Sequence, residues 1–107
     1  MDKRLRDALL FDFYGDMLTK HRREICRLHF FEDMSFAEIA ERQGITRQAA
    51  NQAVQHARKT FAKFERALGL LSQRENLRTY LDEMGDALDV RDFEKCNEIF
   101  SILDELI

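Results

Sequence analysis

The sequence predicts an all-α protein, and three observations carry that prediction. The 107 residues contain no proline and only four glycines, so nothing interrupts long helices. Apolar residues recur at three- and four-residue spacing along most of the chain, the period of a helix with one buried stripe. Residues 35–54, Ser-Phe-Ala-Glu-Ile-Ala-Glu-Arg-Gln-Gly-Ile-Thr-Arg-Gln-Ala-Ala-Asn-Gln-Ala-Val, hold capping and turn residues at the offsets of a helix-turn-helix.

A first helix is expected from about Lys3 to Tyr14. Leu5, Leu9 and Phe13 repeat every fourth residue there, Leu10 and Tyr14 widen the stripe, and Gly15 offers a stop. Phe11 and Phe13 make this helix aromatic, for core packing first and a partner surface second. Thr19 can cap a second helix running to about Phe31, with Ile25, Leu28 and Phe31 facing inward and Glu32-Asp33 closing it. Ser35 caps a third helix, to Gln43, and Glu38 completes a capping box. Ile39 and Ala40 face its core side, and Ala40 is small where two helices cross. Gly44 supplies the positive φ of the turn, and Ile45 plugs the core.

Thr46 caps a fourth helix with no stop before Gly69. Ala50, Val54, Ala57, Phe61, Phe64 and Leu68 alternate by three and four, a seam that begins inside the motif and ends outside it. Ser72-Gln73-Arg74-Glu75 reads as a second capping box, opening a fifth helix with Leu77, Leu81, Met84 and Leu88 as its stripe. Asp89 can cap a last helix carrying Val90, Phe93, Ile99, Phe100, Leu103 and Leu106. The division falls near Gly69. Residues 1–69 form the helix-turn-helix module with its long fourth helix. Residues 70–107 form an acidic helical pair that completes the same domain or makes a dimer interface. Two short helices are a small core, so a homodimer is expected.

Composition sets limits. Hydrophobic residues are 45% and charged residues 35%, the balance of one globular domain. No apolar stretch approaches the roughly 20 residues of a membrane span, and Met-Asp-Lys-Arg-Leu-Arg-Asp is no signal peptide. A cytoplasmic protein is expected. Cys26 and Cys96 match no metal spacing and read as free thiols rather than a disulfide. Net charge is −3 but uneven: residues 1–69 balance at +3 and residues 70–107 at −6. Within 46–69, Arg47, Arg58, Lys59, Lys63 and Arg66 stand against Glu65 alone. That asymmetry suits a module approaching phosphate with one end, although charge also simply solvates helix faces.

Arg47, Gln48, Asn51 and Gln52 open the fourth helix, and their chemistry suits base edges and phosphates. Lys20, Arg22, Arg23, Arg58 and Lys59 are candidate phosphate contacts. The bland alternative is a helical hairpin with a polar face. His21, His29 and His56 are scattered, and Cys26 with His29 would need two further metal ligands. There is no glycine-rich phosphate loop, no serine elbow and no nucleophile with a base. Asp82-Glu83 and Asp104-Glu105 point in different directions on a helix. No catalytic residue, metal site or cofactor is expected.

Leu18-Thr19, Arg23-Glu24-Ile25, Leu28, Phe30-Phe31 and Ser35 through Ala49 resemble region four of bacterial sigma factors. The opening Leu9-Leu10-Phe11-Asp12-Phe13-Tyr14, the run Thr46-Arg47-Gln48-Ala49 and the later Leu70-Leu71 narrow this to a resemblance to the YlxM family, over roughly residues 5–75. These are small bacterial helix-turn-helix proteins associated with the signal recognition particle. The resemblance implies a regulatory protein acting on that particle through its small RNA, its GTPase or both, with Arg47, Gln48, Asn51 and Gln52 on the nucleic-acid face. Ala50 departs from the pattern, standing where such motifs carry a larger aliphatic, and the acidic tail makes the whole chain anionic. Two other readings stand beside it: a DNA-binding transcription regulator of sigma-region-four type, and a scaffold that has kept the fold without nucleic-acid binding.

Overall fold

A computed structural model describes all 107 residues. It contains six α-helices and no strand: α1 Lys3–Tyr14, α2 Lys20–Phe30, α3 Phe36–Gln43, α4 Arg47–Leu68, α5 Leu70–Asp89 and α6 Phe93–Leu106. A single 3-10 turn, Gly15–Met17, follows α1. Residues 1–71 and 72–107 form two compact units.

In the first unit, α1, α2 and α3 all pack against α4. The face of α4 that receives them is mostly small: Ala50, Ala53, Val54 and Ala57, ending at Phe61. Tyr14, Ile25, Cys26, Leu28 and Ile39 close over it. Ala50 is fully buried within that face. The edge of Phe11 meets the rings of Phe30, Phe31 and Phe61, with centroids 6.3, 5.3 and 6.4 Å away, the offset that aromatic quadrupoles favour. Phe64 stacks on Tyr14 at 6.1 Å, whereas Leu68 is exposed. The seam of α4 is therefore internal through Phe64 and open in its last turn.

The caps of the motif form as their chemistry requires. Ser35 Oγ accepts from the Glu38 amide at 3.1 Å, and Glu38 Oε1 accepts from the Ser35 amide at 3.2 Å. Gly44 adopts φ +67°, and the Ile45 amide reaches back to the Ala40 carbonyl at 3.0 Å, a Schellman closure. Thr46 Oγ1 then accepts from the Ala49 amide at 3.0 Å to start α4. Gly69, at φ +64°, ends it.

Gly15 ends α1 as expected, as its C-cap, with a right-handed φ of −59°. A Cβ there would stand 3.4 Å from the Phe11 ring, at ordinary van der Waals contact. Two capping expectations fail, each for a tertiary or turn-level reason. The fifth helix begins at Leu70, not at Ser72. Its first free amides are taken by side chains from α1 and α4: Leu70 N–H donates to Tyr14 Oη at 3.2 Å and Leu71 N–H to Glu65 Oε1 at 2.9 Å. Tyr14 Oη–H donates to that same Glu65 oxygen at 2.7 Å. The last helix is capped by Asp92, whose Oδ1 accepts from the Lys95 amide at 3.1 Å. Asp89 is spent ending α5, where Arg91 takes φ +57° and the Asp92 amide bonds to the Ala87 carbonyl at 2.8 Å.

In the second unit only Ala87 and Ile99 are buried hydrophobics, while Leu81, Leu88, Phe93 and Phe100 are at least half exposed. Both cysteines are free. Cys26 is wholly buried, and desolvation, opposed by the nearby Arg58 charge, pushes its thiol up to about 12. No helix is long and apolar enough to cross a membrane.

The node of Tyr14, Glu65 and the first turn of α5 yields a prediction. Tyr14→Phe leaves the part-buried Leu70 amide without its acceptor and removes one of the donors to Glu65, and stability in urea should fall by about 1–3 kcal/mol. Burial first, and then the bond to Glu65, raise the Tyr14 phenol above its ordinary value. The unfolded chain therefore releases that proton first, and stability declines as pH rises above about 10. Urea midpoints measured from pH 8 to 11 should show this alkaline loss in the parent and a shallower one in Tyr14→Phe.

Candidate nucleic-acid interface

The cap at Thr46 fixes where α4 begins, and the apolar face of α4 fixes its rotation. With Ala50, Val54 and Ala57 turned inward, Arg47, Gln48, Asn51 and Gln52 are all exposed on the first two turns. Gln55 and Lys59 continue the exposed side. Gln55 Nε2 donates to Asn51 Oδ1 at 3.3 Å, which fixes two amide side chains together at the surface. Gln55 belongs with the candidate residues; its i+4 spacing from Asn51 was the available signal. No Asp or Glu occurs between Arg47 and Phe64, so this face carries positive charge with no carboxylate of its own helix beside it.

Arg58 is engaged elsewhere. Its Nη2 lies 3.1 Å from Asp7 Oδ2, and the two side chains are only 27% and 15% exposed. Its guanidinium stands 5.6 Å above the Phe30 ring, and its Nε is buried with no hydrogen-bond partner. Arg58 straps α1 to α4 and is poorly placed to meet a phosphate.

The basic residues of α2 divide between two sides of that helix. Arg22 turns toward α4, where its Nη1 lies 3.2 Å from His56 Nε2. The two residues line a groove of about 350 Å³ with His21, Ile25, Ile45, Ala49, Gln52 and Ala53. Lys20 and Arg23 line a separate hollow of about 390 Å³ with Phe11, Glu24 and Arg27. Arg23 is paired there with Asp16 at 3.4 Å, and Arg27 with Glu24 at 2.8 Å and Glu32 at 3.0 Å. The Arg27 hydrogen bond holds the Glu24 carboxyl below its usual range. Of the expected phosphate contacts, the structure thus brings Arg22 beside Gln52 and leaves Lys20 and Arg23 outside that groove. No group of three or more His, Cys, Asp or Glu comes together in a way that could hold a metal ion.

A boxed short helix, a left-handed glycine and a second helix presenting polar residues from its first turn define a helix-turn-helix protein. The chain belongs to the UPF0122 family, described as "Putative helix-turn-helix protein, YlxM / p13 like", which it matches over residues 1–101. It is similar to a UPF0122 protein of Symbiobacterium thermophilum, 36% identical over 98 residues covering 92% of each chain. A UPF0122 protein of Thermoanaerobacter sp. is 33% identical, over 92% of this chain and 86% of its own. One of Shouchella clausii is 31% identical, over 99% and 98%.

The contrast between Arg58 and its neighbour is measurable. Arg58→Ala leaves the largely buried Asp7 carboxylate without its partner and should cost about 1–3 kcal/mol in chemical denaturation. Lys59→Ala, one residue on and exposed, should change stability by no more than about 0.5 kcal/mol.

Proposed function

We propose that this protein is a nucleic-acid-binding regulatory protein of the signal recognition particle pathway, acting through the particle's RNA, its GTPase or both. The observation that carries the binding half of this reading is the exposed face of α4, where Arg47, Gln48, Asn51, Gln52 and Lys59 lie on a stretch of helix that contains no Asp or Glu. The pathway half rests on the resemblance to the YlxM family. A-form RNA has a deep, narrow major groove, so α4 would meet a widened groove, a loop or the phosphate surface. The reading needs no cofactor and takes the protein to act in the cytoplasm.

The exposed Leu81, Leu88, Phe93 and Phe100 of the second unit support a homodimer as part of the same proposal, since a second copy would cover apolar surface that this unit leaves in water. Sedimentation checks that part. One observation favours a second reading, a DNA-binding regulator. Two turns of a capped helix exposing Arg47, Gln48, Asn51 and Gln52 match what a recognition helix presents to a DNA major groove.

The test is a salt-titrated binding assay against signal recognition particle RNA and against a random DNA duplex of equal length. Tighter retention of the RNA is expected, with log affinity falling linearly in log salt. An Arg47→Ala/Lys59→Ala variant, which leaves the Arg58 strap intact, should lose about two units of that slope. Preferential duplex binding would move the protein to the transcription-regulator reading. Retention of neither nucleic acid at low salt would sink both.

A further inference from the structure

We propose that the groove between α2 and α4 seats a backbone phosphate of the bound nucleic acid, and that His56 makes this contact depend on a proton. The inference deepens the nucleic-acid reading above and rests on it.

Arg22 differs from the other paired arginines of its unit. Arg4, Arg23, Arg27 and Arg58 each have a carboxylate within 3.4 Å. Arg22 has an imidazole instead, His56 Nε2 at 3.2 Å. A guanidinium only donates, so that contact needs a lone pair on Nε2 and the ring proton on Nδ1. No Asp or Glu lines the groove. The charged or ionisable groups that share the groove with His56 are Arg22 and His21 from α2, and Lys59 lies three residues further along its own helix; each is a cation or can become one. The floor beneath them is apolar, Ile25, Ile45 and Ala53, which weakens solvent screening of any charge held there.

A cationic hollow with no internal counter-charge is suited to an anion. The anion is a backbone phosphate rather than a free one because of what stands on the wall. Gln52, on the exposed first turns of α4, lines the same groove. A phosphate seated on Arg22 therefore lies beside the turn that would face bases, and phosphate contacts of this kind set the register in which base contacts are made.

The proton follows from the same geometry. Without a ligand, protonating His56 breaks its acceptance from Arg22 and sets two cations face to face. With a phosphate between them, both become donors to one anion. The complex thus holds the extra proton more firmly than the free protein does, and by reciprocity lower pH strengthens binding.

The experiment measures affinity for the particle RNA and for the random duplex at fixed salt, at pH 8.0 and 5.5, with the full chain. The parent's affinity for its preferred nucleic acid is expected to rise about tenfold at the lower pH, as reciprocity between proton and ligand requires. His56→Gln keeps an acceptor for Arg22 but cannot take the proton, and its affinity should be flat in pH. His21→Gln should retain the dependence. Arg22→Gln should lower the salt slope by about one, with an unchanged urea midpoint showing that the fold is intact. A parent that binds with the same pH response as His56→Gln overturns the groove proposal while leaving the nucleic-acid reading standing. A parent that retains no nucleic acid overturns both. Inorganic phosphate is the control ligand: if it shifts the His56 ring resonances while nucleic-acid binding stays independent of pH, the groove takes free anions only, and the backbone assignment is overturned.

Discussion

Most of the first unit depends on one constraint, the smallness of the buried face of α4. Three helices must reach the same rod. Ala50, Ala53 and Ala57, with Val54 between them, let α1, α2 and α3 approach it closely enough to exclude water. Interiors pack to the density of organic crystals, so an added methylene here has nowhere to go and overpacking typically costs about 1–3 kcal/mol. The aromatic residues of α1 fill the wider space toward Phe61 and Phe64, where the alanines stop. The polar face of α4 is a consequence of this packing. Arg47, Gln48 and Asn51 are exposed because the opposite side of their helix is fully occupied.

Apart from the largely buried Arg58–Asp7 strap, the ion pairs do little for stability, since exposed pairs contribute about 0–1 kcal/mol at most. Their effect is to shape the field. Asp33, Asp16, Glu24, Glu32 and Asp7 answer arginines on the α1 and α2 sides of the unit. Arg47, Lys59 and Lys63 on α4 and Arg22 in the groove are not among these pairs. A chain of net charge −3 can in this way still present a cationic strip, because the acidic residues are spent elsewhere or lie in residues 70–107.

The local chemistry of the motif was readable from the residues themselves. Ser35 with Glu38, Gly44, Thr46 and Gly69 act within four residues of their own position, so spacing sufficed to place the ends of α3 and α4. The misplaced elements involve partners that spacing cannot show. The start of α5 depends on Tyr14, 56 residues away from Leu70. Arg58 read as a surface cation because Asp7, 51 residues earlier, is invisible to helical periodicity. The division of α2 is legible in the residues, since Arg22 and Arg23 are about 100° apart on a helix. His56 is isolated in sequence, and only the packing of α2 on α4 brings Arg22 to it. The left-handed Arg91 likewise moved the last cap from Asp89 to Asp92, since a non-glycine residue in that conformation carries no strong sequence signal.

Cys26 gives the molecule a built-in stability gauge. Its sulfur is wholly buried in the unit, and burial suppresses the thiolate that would attack alkylating reagents and disulfides. Modification must therefore wait for the unit to open, and when reclosing is faster than modification the labelling rate reports the free energy of that opening. Cys96 belongs to the other unit and is only half-buried. One chain thus carries two chemical clocks of different depth, and the ratio of their rates follows how firmly the helix-turn-helix unit is held shut, including when a ligand tightens it.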